Sequence, residues 1–411
     1  MTAMEMSREE GLRQLLAGRA PANAALLREI TTGLDSLSDF WQELYLDTYI
    51  PAGGSKIKFI TGHPGSGKTH FAQWMTMRAR EKGFLTVFFS ARDTWLHDFR
   101  EVYLTIIRQI DLDDLLHRCA EQVVREMGYD PREIPEGKQF ADLLAERGEN
   151  DAMTKKTLRD TLRKMFTRNP LLDNTFAQAF SLLTGGILGY PVLENSHRET
   201  LLAWLNGDNG LKAAQLRLAG LTPAKVTKYN ARHLLRSLCE VIHISGYRGL
   251  VVTADDLETL LKQGSGEPMR YTKLRREDAY ESIRQLIDDI DSMRYVLFLF
   301  CFDRELIDNE NAGLKSYQAL WLRIQNEVVS IRFNRFADLI DMDRYGEELY
   351  SPQILLTMSE RLTGVLAETG EACFPLRQEE IRPLLDRAAF GQLGLPYMLN
   401  RMILEGGRNN G

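Results

Sequence analysis

The chain has 411 residues, 44% of them hydrophobic and 26% charged, with a formal net charge of -6. That is the balance of a globular protein of two or three domains, or of one large domain with appended helices; it excludes a uniformly basic nucleic-acid coat but leaves a local basic face open. The four cysteines, Cys119, Cys239, Cys301 and Cys373, form no C-x-x-C pair, the first ten residues hold no apolar signal core, and the longest apolar run is Tyr295 to Phe302, so zinc, a disulfide framework and a membrane span are not expected and a reducing cytoplasm fits.

Taken in chain order, residues 1–46 read as helices, with apolar stripes at Leu12, Leu15, Leu16, Leu26, Leu27 and Ile30. Pro51 to Gly54 is a turn. Lys56 to Ile60 reads as a strand, Thr69 to Lys82 as a helix and Phe84 to Ser90 as a second strand: a βαβ unit. From about 95 to 245 helical periodicity takes over, broken by glycines and prolines, and we read it as a helical insertion into a nucleotide-binding core spanning 47–337. Leu234, Leu235, Leu238, Val241 and Ile242 make one apolar helix face before the next strand. Strands return at Gly249 to Thr253 and Tyr295 to Phe300, with a charged helix, Arg275 to Met293, between them. Val328 to Phe333 is a further candidate strand. From 338 to 411 the chain reads as helical, at Ile354 to Leu366, Glu379 to Ala388 and Tyr397 to Leu404, with a frayed tail after Gly406.

Gly62-His63-Pro64-Gly65-Ser66-Gly67-Lys68-Thr69 matches G-x-x-x-x-G-K-[ST] in full. Gly62, Gly65 and Gly67 let the backbone curl with its N–H groups inward. Those donors and the positive end of the following helix make a cradle for phosphate oxygens. Lys68 adds a mobile cation at the β/γ-phosphates of ATP, and the Thr69 hydroxyl is a ligand for Mg²⁺. A chance match occurs in roughly one chain in a hundred of this length; the position after an apolar strand and before a helix argues against it. His63 and His70 flank the loop and are candidates for nucleotide contact; ordinary loop and helix residues are the plainer reading.

A phosphate loop needs an acid at the tip of a neighbouring strand. Leu250-Val-Val-Thr-Ala-Asp255-Asp256 supplies one: Asp255 for Mg²⁺ and Asp256 for the attacking water, with Glu258 nearby as a substitute. The competing reading is a strand followed by an acidic helix cap. Asp303, at the end of the next strand, stands where a polar residue touches the γ-phosphate and the water, although an acid there repels phosphate; a helix cap is the alternative. Arg304, Arg323, Arg332 and Arg335 follow, and of these Arg323 is the candidate to reach a neighbouring subunit's γ-phosphate; ion-paired or solvated arginines are the alternative.

Several segments together carry a resemblance. Ile50 to Ser55 leading to Phe59, Gly65 to Phe71, Asn230 to Leu235, Gly246 to Leu250, Glu305 to Ile307 and Gly313 to Tyr317 resemble the ATP-binding proteins of bacterial BREX-type phage-defence systems, in that order along the chain. The ATPase of the Shango defence system is similar. That family is similar to AAA+ ATPases of the origin-recognition and helicase-loader type. The resemblance implies an α/β fold: a three-layer P-loop NTPase core on a parallel sheet, with a C-terminal helical lid at 338–411. It also implies a role in defence beside a helicase encoded in the same cluster, and a homo-oligomeric or partner-bound assembly. Three positions depart from the family pattern. Asp256 replaces Glu, Asp303 replaces a small polar residue, and Tyr397 stands where the lid places an arginine, leaving Arg401, one turn later, to serve.

The sequence-level function is therefore an ATP-binding, ATP-hydrolysing defence protein that couples nucleotide state to assembly on DNA or on a helicase. A slow or non-hydrolysing switch that recruits a protein is the alternative, and a small-molecule kinase is a third. Basic clusters for DNA contact are Lys155-Lys156 through Arg159, Arg163-Lys164 to Arg168, and Lys273 to Arg276; solvated helix faces are the plainer reading of each.

Overall fold

The structure is a computed structural model that describes residues 6–261, 269–325 and 332–409. It divides into two compact units: Asp98–Leu250 with Asp291–Val296, and Ala3–His97 with Val251–Ile290 and Leu297–Gly411.

Among the described residues, five strands form one parallel sheet: β1 (Ser55–Gly62), β2 (Leu85–Ser90), β3 (Leu250–Asp255), β4 (Val296–Asp303) and β5 (Leu339–Asp341), in the order β2-β3-β4-β1-β5. β3 is buried along its whole length and β4 as far as Phe302. That is why they read as continuous apolar runs rather than alternating ones: a parallel sheet is covered on both faces. β4 lies between β1 and β3, so the glycine loop after β1 and the acids after β3 flank the tip of β4.

β5 corrects the sequence reading. The strand expected at Val328 to Phe333 falls largely outside the described residues, and the sequence pattern from 338 onward is that of helices. Instead, Leu339–Asp341 pairs with β1 in the register Phe59↔Leu339, Ile60↔Ile340, Thr61↔Asp341, and the helix Met342–Leu349 follows. Three residues are too few to show an alternating pattern. The last helix, Leu395–Asn409, also runs on past Gly406, where fraying was expected.

Both ends of the chain join the sheet in one hydrophobic core. It draws Leu26, Leu37 and Trp41 from the first helices, Phe71 and Met75 from the helix Lys68–Glu81, Ile60, Leu297, Leu299 and Ile340 from strands, and Leu355, Leu384 and Ile403 from the last helices. Burying a side chain of this size stabilises by about 1.5–3 kcal/mol. Lys58 is the exception inside that core. It is fully buried, donates to the Phe336 and Ala337 carbonyls at 2.9 and 2.7 Å, and pairs with Asp338 at 2.9 Å. Its ammonium also lies 5.2 Å from the centre of the Tyr45 ring. One strand lysine thus ties down the segment that leads into β5.

The other unit is built of helices, among them Phe99–Gln109, Leu112–Glu126, Ala152–Leu162, Asn174–Leu188 and Ala231–Ile244. Aspartates start four of these: Asp98, Asp111, Asp151 and Asp173 each accept from backbone N–H groups of the first turn, which offsets donors that have no intrahelical partner. Phe166, Phe176 and Phe180 are buried together, the last two stacked at 4.8 Å.

Candidate functional site

β1 ends at Gly62, and the chain turns through Gly65 and Gly67 into the helix Lys68–Glu81. The three glycines have φ of +152°, +80° and +93°, a region side-chain-bearing residues avoid. At Gly65 the demand is also steric: a Cβ there would stand 2.3 Å from the Cβ of Tyr397. The N–H groups of the helix's first turn have no intrahelical acceptor, and Gly65, Gly67, Lys68 and Thr69 line a cavity of about 610 Å³.

Lys68 is held at the mouth of the loop. Its ammonium donates to the carbonyls of Gly62 at 3.1 Å and His63 at 2.8 Å, and pairs with Asp303 at 2.9 Å. The Thr69 hydroxyl donates to Asp255 Oδ2 at 2.7 Å. Asp255 also accepts from the N–H of Asp256 at 2.9 Å. Burial, aided by the charge of Asp256, pushes the Asp255 carboxyl up to about 6.

Asp256 adopts a left-handed backbone, φ +62°, which aspartate tolerates better than most residues. Its carboxylate turns to the end of β2. It accepts from Ser90 Oγ at 2.6 Å and pairs with Arg92 at 3.0 Å. Glu258 is buried beside it, 3.4 Å from Arg92 and accepting from the Asp303 N–H at 3.3 Å. Burial first, then the charge of Asp303, raises Glu258 to about 7. Asp255, Asp256, Glu258 and Asp303 all line the cavity, with Lys68 and Arg92 as the cations among these contacts. Burial, with neighbouring carboxylates second, is what makes two of these acids hold their protons more tightly than usual.

The structure therefore brings Gly62, Gly65, Gly67, Lys68, Thr69, Asp255, Asp256 and Asp303 together. Pro64 and Ser66 complete the loop: Ser66 donates its N–H to His63 O at 3.1 Å, and Pro64 O accepts from the N–H of Gly394 at 2.8 Å. The two histidines have other partners. The N–H and ring Nδ1 of His63 both meet Asp343 Oδ2, at 2.7 and 2.8 Å. His70 Nε2 meets Thr31 Oγ1 at 2.8 Å, and burial lowers that imidazole to about 4.

Two arginines are not brought to the loop. Arg401 pairs with Glu405 on an exposed helix face; Tyr397 and Asn400 line the cavity from that helix. Arg323 is engaged by Asp288 and by the Ala319 carbonyl.

Some of the wall was not legible. Arg19, Ile30, Leu34, Tyr350, Met358 and Leu362 line the cavity, and nothing in their local sequence signals it. Arg92 had one available signal, its place just beyond the tip of β2. The start of the last helix packs directly on the loop. Besides the Gly394 bond, Tyr397 donates its N–H to Gly65 O at 3.2 Å. A Cβ on Gly394 would stand 2.1 Å from Ser66 N.

A parallel α/β sheet whose glycine loop opens on a lysine- and carboxylate-lined cavity defines the class of protein. The family model described as BREX system ATP-binding protein BrxC/D matches residues 5–400, and the chain belongs to that family. The resemblance read from its segments is thus borne out. No curated protein and no solved structure matches the chain. No helix among the described residues is long and apolar enough to cross a membrane.

Proposed function

We propose that the chain is a P-loop ATPase with an AAA+-type core that works in the cytoplasm in anti-phage defence, coupling its nucleotide state to assembly on DNA or on a partner helicase. The observation that carries this reading is the 2.7 Å bond between Thr69 and Asp255. It joins a hydroxyl at the start of the loop helix to a carboxylate at a strand tip, the pair of oxygens a phosphate-bound Mg²⁺ requires. The strand order, with β4 between β1 and β3, supports the same class.

The residues fit Mg²⁺. Among the described residues no three His, Cys, Asp or Glu side chains converge as a metal-ligand set, which suits an ion that takes one or two protein oxygens and completes its shell with phosphate and water. Thr69 and Asp255 would hold it, and it would neutralise charge on the phosphates. The loop's N–H groups bind phosphate oxygens, and Lys68 is the mobile cation for the β/γ end, exchanging Asp303 for phosphate. Asp256 orients the attacking water once freed from Ser90 and Arg92. For Arg323 to act on a neighbouring subunit it must leave Asp288.

One observation favours a second reading, the slow switch: Lys68 is already neutralised by Asp303, and Asp256 is already held at β2. ATP and Mg²⁺ titration with turnover assays, with and without DNA, on wild type, Lys68→Ala and Asp255→Ala decides between them. Loss of binding or turnover in both variants supports the ATPase. Full wild-type turnover in both overturns it. Stoichiometric ATP held without turnover favours the switch.

A further inference from the structure

Residues 151–170 hold six basic side chains against two acidic ones, in a chain whose acids outnumber its Lys and Arg, 57 to 51. The segment folds as the helix Ala152–Leu162, continued by a wider turn Arg163–Thr167. Leu158, Leu162 and Phe166 recur every four residues and are buried, which fixes how the helix sits. The opposite side carries Lys156, Arg159, Arg163, Lys164 and Arg168, all exposed.

This face is poorly compensated. Arg163 lies 3.8 Å from Asp160 and Lys164 lies 3.6 Å from Glu126, both beyond hydrogen-bond distance. Lys156, Arg159 and Arg168 have no ion-pair partner among the described residues. Arg159 stacks at 6.0 Å over Tyr190, which uses the guanidinium plane and leaves its edge donors to solvent. The like charges at Arg159 and Arg163, and at Lys164 and Arg168, each cost about 0.2–0.5 kcal/mol at this spacing. A purely solvated helix gains nothing from that arrangement.

We propose that this face is a docking surface for the phosphate backbone of duplex DNA. Lys156 to Arg168 spans about 18 Å of helix, enough to follow several phosphates of one strand. The face lacks exposed aromatic residues: Phe166 is buried and Tyr190 lies half-buried beneath Arg159. Single-strand binding leans on exposed stacking platforms, so the chemistry favours backbone contact without base reading. The inference deepens the DNA arm of the proposed function and rests on it, but not on the nucleotide site.

The test uses the full chain and a fluorescent 30-base-pair DNA duplex, titrated between 50 and 200 mM salt with and without ATP. Contact with about four phosphates gives a slope of log affinity against log salt near -3.6, a loss on the order of 100-fold over that range. Arg159→Gln/Arg163→Gln/Lys164→Gln should weaken binding at least tenfold and flatten the slope. Lys212→Gln/Arg217→Gln, two exposed cations elsewhere in the same unit, should leave it unchanged. ATP binding, read separately on each variant, reports folding and the state of the nucleotide site. Absence of salt-sensitive DNA binding, equal loss in both variants, preference for an RNA duplex of the same sequence, or capture of an acidic protein by this face without DNA affinity would each overturn the proposal.

Discussion

Asp303→Asn should tighten ATP binding. In the structure Asp303 takes a charge-assisted bond from Lys68 at 2.9 Å, and both side chains are largely shielded, 23% and 8% exposed. A bond of this kind contributes about 1.5–3 kcal/mol net. ATP must take Lys68 away from it, and must also bring phosphate up to an added negative charge. Asparagine keeps the shape and removes the charge. Lys68 keeps its carbonyl partners at Gly62 and His63, so the loop should not collapse. Recovering about 1.5 kcal/mol predicts about tenfold tighter binding. A fluorescent ATP analogue titrated at fixed Mg²⁺ measures it, and Asp303→Asn/Lys68→Ala controls for effects not routed through the ammonium. An unchanged or weaker affinity in the single variant would refute the idea that Asp303 competes with nucleotide for Lys68.

Other consequences concern stability. Glu258, raised from 4.5 to about 7 by burial, holds a proton in the folded chain that the unfolded chain releases. Its contribution is present below pH 4.5 and is lost as pH climbs to 7, on the order of 2–3 kcal/mol. His70, lowered to about 4, slopes the opposite way between pH 4 and 6.5, so the expected result is in the difference: without Mg²⁺, urea unfolding of wild type relative to Glu258→Gln should show stability falling from pH 4.5 to 7, and parallel curves would contradict it. Gly394→Ala should cost about 1–3 kcal/mol by overpacking, because its methyl would stand 2.1 Å from Ser66 N, and should weaken ATP binding as well; calorimetry and titration check both, and a neutral result would show that this contact is loose. Lys58→Met should destabilise by about 3 kcal/mol by stranding the Phe336 and Ala337 carbonyls and Asp338, with the denaturant midpoint as readout; a change under about 0.5 kcal/mol would mean these groups find water.

What the sequence revealed depended on how local each signal was. β3 and β4 were readable as runs of mostly apolar residues, β1 and β2 as short segments of strand-forming residues between turns and the loop helix, and the loop because three glycines, a lysine and a threonine have fixed spacing. β5 was not, since its three residues are recruited by pairing with β1 rather than by a pattern of their own. Lys58 looked like an ordinary strand residue; its burial follows from carbonyls some 280 residues later. Asp303 was placed correctly at a strand tip, but its bond to Lys68 depends on β4 lying next to β1, and strand order is not written in any segment. Helix spacing alone does not say which side chains of the last helix reach the cavity: Tyr397 and Asn400 line it, while Arg401 pairs with Glu405 on an exposed face. The cavity walls from Arg19 to Leu34 and from Tyr350 to Asn400 come from opposite ends of the chain, so no window of sequence contains them both.

That last arrangement bears on how the protein is made. The glycine loop leaves the ribosome long before Gly394 and Tyr397, which hydrogen-bond to it. A nascent chain halted near residue 390 would carry every loop residue and both strand-tip acids but lack the wall that closes over them. Nucleotide affinity should therefore arise only once residues 394–397 have been made, and removing the chain from residue 390 onward should silence a motif more than 300 residues upstream.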